Sequence, residues 1–229
     1  MRRTLRTLAL LLGYPSAELQ AEARALREAV AAERALPAAR IAALDPLFDA
    51  LSTSDLLDAQ AAYSELFDRS RHLALHLFEH VHGDGRERGQ AMIDLGQLYI
   101  DHGFVMTGNE LPDYLPLFLE FASCLPPAEA RDLLAQPVHV FVALEERLQR
   151  QDSPYAAVFG ALAVLAGATP DAEALAELRA RQAGAKTLDE EWEDAPVSFG
   201  KPTLDAKQAT GVVARIRAAQ QSVMAAIKG

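Results

Sequence analysis

The sequence has one cysteine, Cys124, among its 229 residues. A single thiol excludes an internal disulfide framework, so apolar burial must hold the fold together. Hydrophobic residues make up 50% of the chain and charged residues 24%, the balance of an ordinary globular protein. A chain of this length buries about 70–75% of the surface that its unfolded form exposes. The sequence therefore predicts one large domain that needs no covalent or metal staple.

Long apolar runs and excess positive charge are also lacking. The longest uncharged apolar run, 155–168, has 14 residues, whereas a membrane-spanning helix needs about 20. Paired arginines near the N-terminus precede only a short apolar stretch, so we expect no signal peptide, no membrane insertion and a cytoplasmic location. Lys and Arg number 22 against 32 Asp and Glu, a net charge of −10. This charge argues against general nucleic-acid binding.

Helical spacing fills the chain, while the alternation typical of strands is scarce. Signals for helix starts recur along it; they are Ser16, Pro37, Ser54, Ser153-Pro154 and Thr169-Pro170. The uncharged run 155–168 is expected to be a buried core helix. The pattern predicts an all-α, single-domain helical bundle of about ten helices over residues 1–185.

The charge pattern changes near the C-terminus. Residues 171–205 hold nine acidic and four basic side chains, and we predict an acidic linker over 186–203. Residues 206–229 hold four basic side chains and no acidic ones. An apolar seam predicts a basic amphipathic helix over 204–229; its members are Val212, Ile216, Ala219, Val223 and Ile227. Such a helix either docks on its own acidic body or detaches to hold a partner.

Gly-rich phosphate loops, Gly-x-Ser-x-Gly elbows and Cys-x-x-Cys pairs are absent from the sequence. One catalytic pattern is present, because His76, Glu79 and His80 form the His-x-x-Glu-His motif of inverted zinc proteases. Two imidazoles one helical turn apart can share a metal, with the glutamate as a base. The motif also needs a third ligand, for which Glu87, Glu110 and Glu120 are candidates of a kind that any helical protein offers, and Gly83 ends the segment. We therefore expect no catalytic residues and no bound metal, with a zinc-dependent hydrolase as the alternative.

Helix 84–102 combines a wide apolar surface with one row of polar side chains. The row has spacings of four and three residues and consists of Arg86, Gln90, Asp94, Gln97 and Asp101. It is either a stripe that faces solvent or the polar wall of a groove, in which the aspartates accept a basic, amphipathic segment. One helix earlier, Tyr63, Leu66 and Phe67 share a face that is either plain core or an anchor pocket.

Four stretches in order resemble one known family. They are Leu-Leu-Gly-Tyr-Pro at 11–15, Asp-Ala-Gln-Ala-Ala-Tyr-Ser-Glu-Leu-Phe-Asp-Arg at 58–69, Leu-Phe-Glu-His-Val-His-Gly at 77–83 with Arg86 and Arg-Gly-Gln-Ala-Met at 88–92 after it, and Glu-Leu-Pro-Asp-Tyr-Leu-Pro-Leu at 110–117. They are similar to the nitrate reductase molybdenum cofactor assembly chaperones, the NarJ branch of the TorD-type redox-enzyme chaperones. The resemblance covers most of residues 1–165. Two positions depart from the family pattern: Tyr114 stands where histidine is usual, and His76 where an apolar residue is usual.

The resemblance implies a TorD-like, all-helical, cytoplasmic chaperone that is not an enzyme. Such a protein binds the immature catalytic (alpha) subunit of respiratory nitrate reductase, partly through its N-terminal segment. It assists molybdenum cofactor and iron–sulfur insertion, holds no cofactor stably and delays membrane docking. Proteins of molybdenum cofactor biosynthesis are further candidate partners, and a TorD-type chaperone for another molybdoenzyme is the alternative. The motifs and the polar row together predict a client-peptide site of Tyr63, Leu66, Phe67, Glu79, His80, His82, Arg86, Gln90, Asp94, Asp101, Pro112, Asp113 and Tyr114.

Overall fold

The computed structural model describes residues 1–69, 71–82, 87–106, 108 and 110–183. These residues form twelve α-helices and one 3-10 turn, and none of them lies in a β-strand. The predicted all-α fold is confirmed. The helices are α1 (Arg2–Leu11), α2 (Ala17–Glu33), α3 (Ala38–Ala43), α4 (Asp45–Thr53), α5 (Leu56–Phe67), α6 (Leu77–His82), α7 (Glu87–Asp101), α8 (Leu115–Cys124), α9 (Pro127–Ala135), α10 (Val138–Arg150), α11 (Ala156–Ala166) and α12 (Ala172–Ala183).

Side-chain caps explain several helix starts. Ser16 caps α2 as predicted, because its hydroxyl accepts the Leu19 N–H at 3.2 Å. The prediction that Ser54 caps α5 is wrong, since the carboxylate of Asp55 accepts the N–H of Leu57 at 2.9 Å and the N–H of Ser54 closes the last turn of α4.

Three proline signals are displaced by one or two residues. Pro37 is the N-cap of α3 rather than its first helical residue. Tyr155, after Ser153-Pro154, is the N-cap of α11. The helix predicted to begin at Pro170 begins at Ala172, because the Asp171 carboxylate accepts two N–H groups of its first turn, each at 2.9 Å.

The centre of the molecule is α11, the helix formed by the uncharged run. Eight of its eleven residues are buried, as the sequence predicts, and it packs against α3, α9 and α10. Gly160 allows a close crossing, because the ion pair of Arg40 with Glu145, 2.7 Å long, passes where a Cβ would stand. Helix α8 packs against α1 and closes the other side of the core.

The predicted C-terminal elements, the acidic linker 186–203 and the amphipathic helix 204–229, lie outside the described residues. Residues 1–183 all belong to one compact unit. Across that described part, the helices are too short or too polar to span a bilayer.

A short antiparallel pairing brings two distant motifs together. The N–H of Leu115 donates to the carbonyl of Leu75 at 2.8 Å, and the N–H of Leu77 donates to the carbonyl of Asp113 at 3.0 Å. An isolated bridge pairs His76 with Tyr114 between these bonds. The segment before α6 is thereby fastened to the segment before α8, although 37 residues separate His76 from Asp113 in the chain.

Candidate functional site

A buried aspartate organises the start of α6. Asp113 is 0% exposed, and its carboxylate accepts the N–H of Phe78 at 3.0 Å and faces Nδ1 of His76 at 3.2 Å. It therefore caps the first turn of α6 from another part of the chain, where a negative charge is favourable. The hydrogen bond to Asp113 raises the pKa of His76 against the opposing effect of burial.

The second motif histidine points into the core. His80 is 6% exposed, and its Nε2–H donates to the carbonyl of Ala74 at 2.7 Å. Its Nδ1 faces the guanidinium of Arg147 at 3.4 Å. Arg147 is itself buried and donates to the carbonyls of His72 and Leu178. Burial is the main reason that the pKa of His80 falls to about 4, and Arg147 lowers it further.

These contacts bear on the zinc motif. His76 is directed to Asp113, whereas His80 is held by a backbone carbonyl and an arginine, so both imidazoles have other partners. The remaining residue, Glu79, pairs with Arg88 of α7 at 3.2 Å. Among the described residues no group of three His, Cys, Asp or Glu side chains is placed to hold a metal. The three motif side chains thus join α6 to the segment before α8, to the core and to α7.

One side of α6 forms the wall of a depression that we call the aromatic cleft. It has a volume of about 430 Å³ and is lined by Tyr14, Tyr63, Phe67, Asp68, Ala74, Leu75, His76, Glu79, Glu110 and Tyr114. Tyr63 is buried and donates from its hydroxyl to the carbonyl of Leu12 at 2.7 Å. Its ring lies edge-on to Tyr14, with 5.5 Å between centroids, and 4.9 Å from Phe67. The predicted residues Tyr63, Phe67, Glu79 and Tyr114 thus meet in one place.

The other side of α6 borders a larger and more apolar depression, the α7 groove. Its volume is about 490 Å³, and its lining is Leu77, Phe78, Val81, His82, Ala91, Asp94, Leu95, Leu98, Phe118, Leu133, Gln136, Pro137 and His139. Val81 is 37% exposed, so apolar surface is open to solvent here. The predicted residues His82 and Asp94 meet in this groove rather than in the cleft.

The remaining predicted residues take other positions. In the polar row, Gln90 donates to Asp94 at 2.7 Å and Gln97 to Asp101 at 2.8 Å, all four exposed. Asp101 is absent from the described linings of both depressions. Leu66 packs part-buried against the core, and the carbonyl of Pro112 accepts the hydroxyl of Tyr99 at 2.7 Å. Arg86 lies outside the described residues.

Sequence reasoning missed part of the cleft and a third depression. Tyr14 and Asp68 line the cleft, although the first follows a helix stop and the second is an ordinary exposed acid after α5. The third depression, of about 350 Å³, lies beside Phe104, Val105 and Phe121. The only sequence signal for it was an apolar segment following the end of α7.

Comparisons with known proteins identify the family. A family model described as nitrate reductase delta subunit matches residues 16–161. The nitrate reductase molybdenum cofactor assembly chaperone NarJ of Escherichia coli K12 is 45% identical over 192 residues, which are 82% of this chain and 81% of that protein. The chain belongs to the nitrate reductase delta subunit family. The family predicted from the four sequence motifs is confirmed.

One further relative and one solved structure are also similar to this chain. A probable assembly chaperone of the same kind, NarW of Escherichia coli K12, is 40% identical over 152 residues, 65% of this chain and 66% of its own. A crystal structure of a candidate redox enzyme maturation protein from Archaeoglobus fulgidus has a TM-score of 0.53 at 22% identity, covering 71% of this chain and 91% of the other. At that identity the likeness concerns the fold. Both relatives are named as nitrate reductase molybdenum cofactor assembly chaperones, NarW as a probable one.

The two positions at which the resemblance leads us to expect other residues are neighbours in space. His76 and Tyr114 form the isolated bridge, and their rings lie 5.5 Å apart at an angle of 39°. Both line the aromatic cleft, so the two expected departures concern one place on its wall.

Proposed function

We propose that this protein is a chaperone that binds the immature catalytic subunit of respiratory nitrate reductase during insertion of the molybdenum cofactor. The family and its relatives support a role in assembly of this enzyme. We further propose that it acts in the cytoplasm without catalysing a reaction or holding a cofactor. While it holds the client in a state that can still accept cofactors, it would also assist iron–sulfur insertion and delay docking at the membrane. Proteins of molybdenum cofactor biosynthesis would act on the bound client.

The observation that carries the binding step is the α7 groove. Its walls are mainly aliphatic and aromatic side chains from α6, α7 and α8, and Asp94 stands on its α7 side. An amphipathic helix binds such a groove through apolar anchors, while charge sets its orientation. We propose that the N-terminal segment of the client's catalytic subunit lies here with its apolar side inward and a basic residue near Asp94.

Apolar burial should supply most of the affinity. A fully buried Leu or Phe side chain contributes about 1.5–3 kcal/mol, whereas an exposed ion pair contributes about 0–1 kcal/mol. Blocking the groove should therefore matter more than removing Asp94. Val81→Arg places a long cation at the open part of the groove, and Leu57→Arg makes the same change on α5 at a residue that is 74% exposed.

Isothermal titration with a synthetic peptide of the client's N-terminal segment tests this proposal. The parent protein and Leu57→Arg should bind the peptide equally, and Val81→Arg should bind it about 10-fold or more weakly, a loss of about 1.4 kcal/mol or more. A scrambled peptide should not bind. Equal binding by Val81→Arg and the parent would place the client segment elsewhere.

The charge on the groove wall has its own control on the same helix. Asp94→Asn should weaken peptide binding severalfold at low salt and little at high salt, where the Debye length is short. Asp101→Asn removes the same charge from α7 outside the groove lining and should have no such effect. Equal effects of the two variants would indicate long-range attraction by the acidic protein rather than a contact at Asp94.

The identity of the client is tested in cells. Affinity capture of this chain from anaerobic, nitrate-grown cells should co-purify the catalytic subunit of nitrate reductase, and Val81→Arg should reduce its yield. Recovery of a different molybdoenzyme subunit in its place would assign the protein to another client.

A further inference from the structure

The aromatic cleft contains negative charge without a partner. Asp68 and Glu110 line it, and within the described part of the chain neither forms an ion pair. The third carboxylate of the lining, Glu79, is neutralised by an ion pair with an arginine of α7 at 3.2 Å. Asp68 and Glu110 therefore contribute two negative charges to the cleft.

Aromatic rings accompany this charge. The ring of Tyr14 is 53% exposed at the cleft and lies edge-on to Tyr63. The rings of Phe67 and Tyr114 complete the aromatic lining. The face of an aromatic ring attracts a cation, and arginine is the cation found there most often. Its planar guanidinium also donates a fork of hydrogen bonds to carboxylates, so one group can use both features of the cleft.

The tyrosines on the cleft wall respond to the negative field. Burial is the main reason that the pKa of Tyr114 is raised, and the charges of Glu110 and Asp68 raise it further. Burial likewise leads the rise in the pKa of Tyr63, to which Asp68 also contributes. A cation placed in the cleft would therefore meet a favourable potential beside low-polarity surface, where charges interact more strongly than in water.

We propose that the aromatic cleft binds a cationic side chain of the bound client, with an arginine guanidinium as the preferred occupant. This inference rests on the proposed function, in which the α7 groove holds the apolar side of the same segment. Helix α6 has six residues and separates the two depressions. A helix with its side chains is about 10–12 Å across, a distance that about four extended residues span. The client's arginine therefore lies about four extended residues beyond the end of the helical part that the groove holds.

The first experiment examines the cleft without the client. N-acetyl-arginine-N-methylamide is titrated into the full chain while NMR signals of the tyrosine rings and of His76 are followed. It should shift the signals of the cleft residues at millimolar concentrations, and the neutral citrulline analogue should not. Asp68→Asn/Glu110→Gln should abolish the shifts. Glu22→Gln/Asp132→Asn, which removes two exposed acids on α2 and α9, should retain them. Equal shifts with citrulline, or in the cleft variant, overturn the proposal.

The second experiment uses the client peptide and its arginine-to-citrulline substitutions. One substitution should weaken binding to the parent by about 5- to 30-fold, the combined effect expected of ion-pair and cation–π contacts. The same substitution should have no further effect in Asp68→Asn/Glu110→Gln. If the peptide binds the parent but no substitution depends on the cleft carboxylates, the cleft inference is wrong and the groove proposal stands. If the parent does not bind the peptide, the proposed function fails, and the arginine titration decides the cleft by itself.

Discussion

Acidification should destabilise this protein through one buried histidine. His80 is 6% exposed, its Nε2–H donates to a backbone carbonyl, and its Nδ1 accepts from the Arg147 guanidinium. A proton on Nδ1 would replace that acceptor by a donor and set two cations against each other in the core. The pKa of His80 is therefore lowered to about 4, mainly by burial and secondly by Arg147.

The sign and size of the effect follow from this shift. An unfolded histidine titrates near 6.5, so the unfolded chain binds a proton at His80 between pH 6.5 and pH 4 while the folded protein does not. The stability from a neutral His80 is complete above pH 6.5 and is lost as the pH falls to about 4. At pH 5.0 the loss is about 2 kcal/mol, and it reaches about 3 kcal/mol below pH 4. A loss of this size is a large fraction of the stability of a typical domain, about 5–15 kcal/mol.

Urea unfolding of the parent and of His80→Gln at pH 7.5 and pH 5.0 measures the contribution of His80 to the free energy of unfolding. Glutamine can donate to the same carbonyl and does not titrate, so the parent should lose about 2 kcal/mol more than the variant between the two pH values. His102→Gln, at an exposed site, should behave like the parent. Equal losses in the parent and His80→Gln would refute the reasoning. An NMR titration that showed His80 protonated at pH 6 in the folded parent would refute it without any variant.

Substitutions at three further positions, Asp113, Gly160 and Tyr63, test contacts of the fold and of the site. Asp113→Ala should cost about 3 kcal/mol in urea unfolding because it leaves the first turn of α6 and His76 without their buried acceptor. Asp113→Asn should lower the unfolding free energy by less than Asp113→Ala does. Its cost should be larger at pH 5.5 than at pH 8.5, because the raised pKa of His76 in the parent gives stability below pH 6.5 that is lost as the pH rises through that pKa. Gly160→Ala should destabilise the parent, because the added Cβ would collide with the ion pair of Arg40 and Glu145. In a Glu145→Ala protein the ion pair is absent, and the same substitution should stabilise the fold by about 1 kcal/mol because alanine favours a helix more than glycine does. Tyr63→Phe should lower the unfolding free energy by about 1 kcal/mol, the worth of its buried hydrogen bond.

The sequence motifs named individual residues but not their grouping in space. Tyr63, Glu79 and Tyr114 line the aromatic cleft, and Asp113 accepts the N–H of Phe78 at the start of α6. The sequence could not indicate that His80 points into the core while Glu79 faces the cleft, because the direction of each residue on a six-residue helix depends on what packs around it. The linear order therefore merged two depressions on opposite sides of α6 into one expected groove.

Periodicity left the role of the polar row undecided for a similar reason. A row of polar residues on an amphipathic helix shows which face avoids the core but not whether another element borders that face. Asp94 borders the groove because α6 and α10 approach it, whereas Asp101 lies near the end of α7 outside the groove lining. Only the packing of the neighbouring helices separates these two positions.

The sequence by itself determined the helical class, the buried run that became α11, the absence of a disulfide framework and the family. Those features depend on composition, on the spacing of residues within about 20 positions and on short motifs that resemble those of a known family. None of them requires knowledge of which distant residues meet. The tertiary structure alone decided that Asp113 caps a helix more than 30 residues away in the chain, that two motif histidines diverge, and that three acids and the rings of three tyrosines and one phenylalanine meet in a cleft. Such contacts join residues that are far apart in the sequence. Which residues meet is decided by the burial of apolar surface and the pairing of buried hydrogen-bonding groups in the whole core.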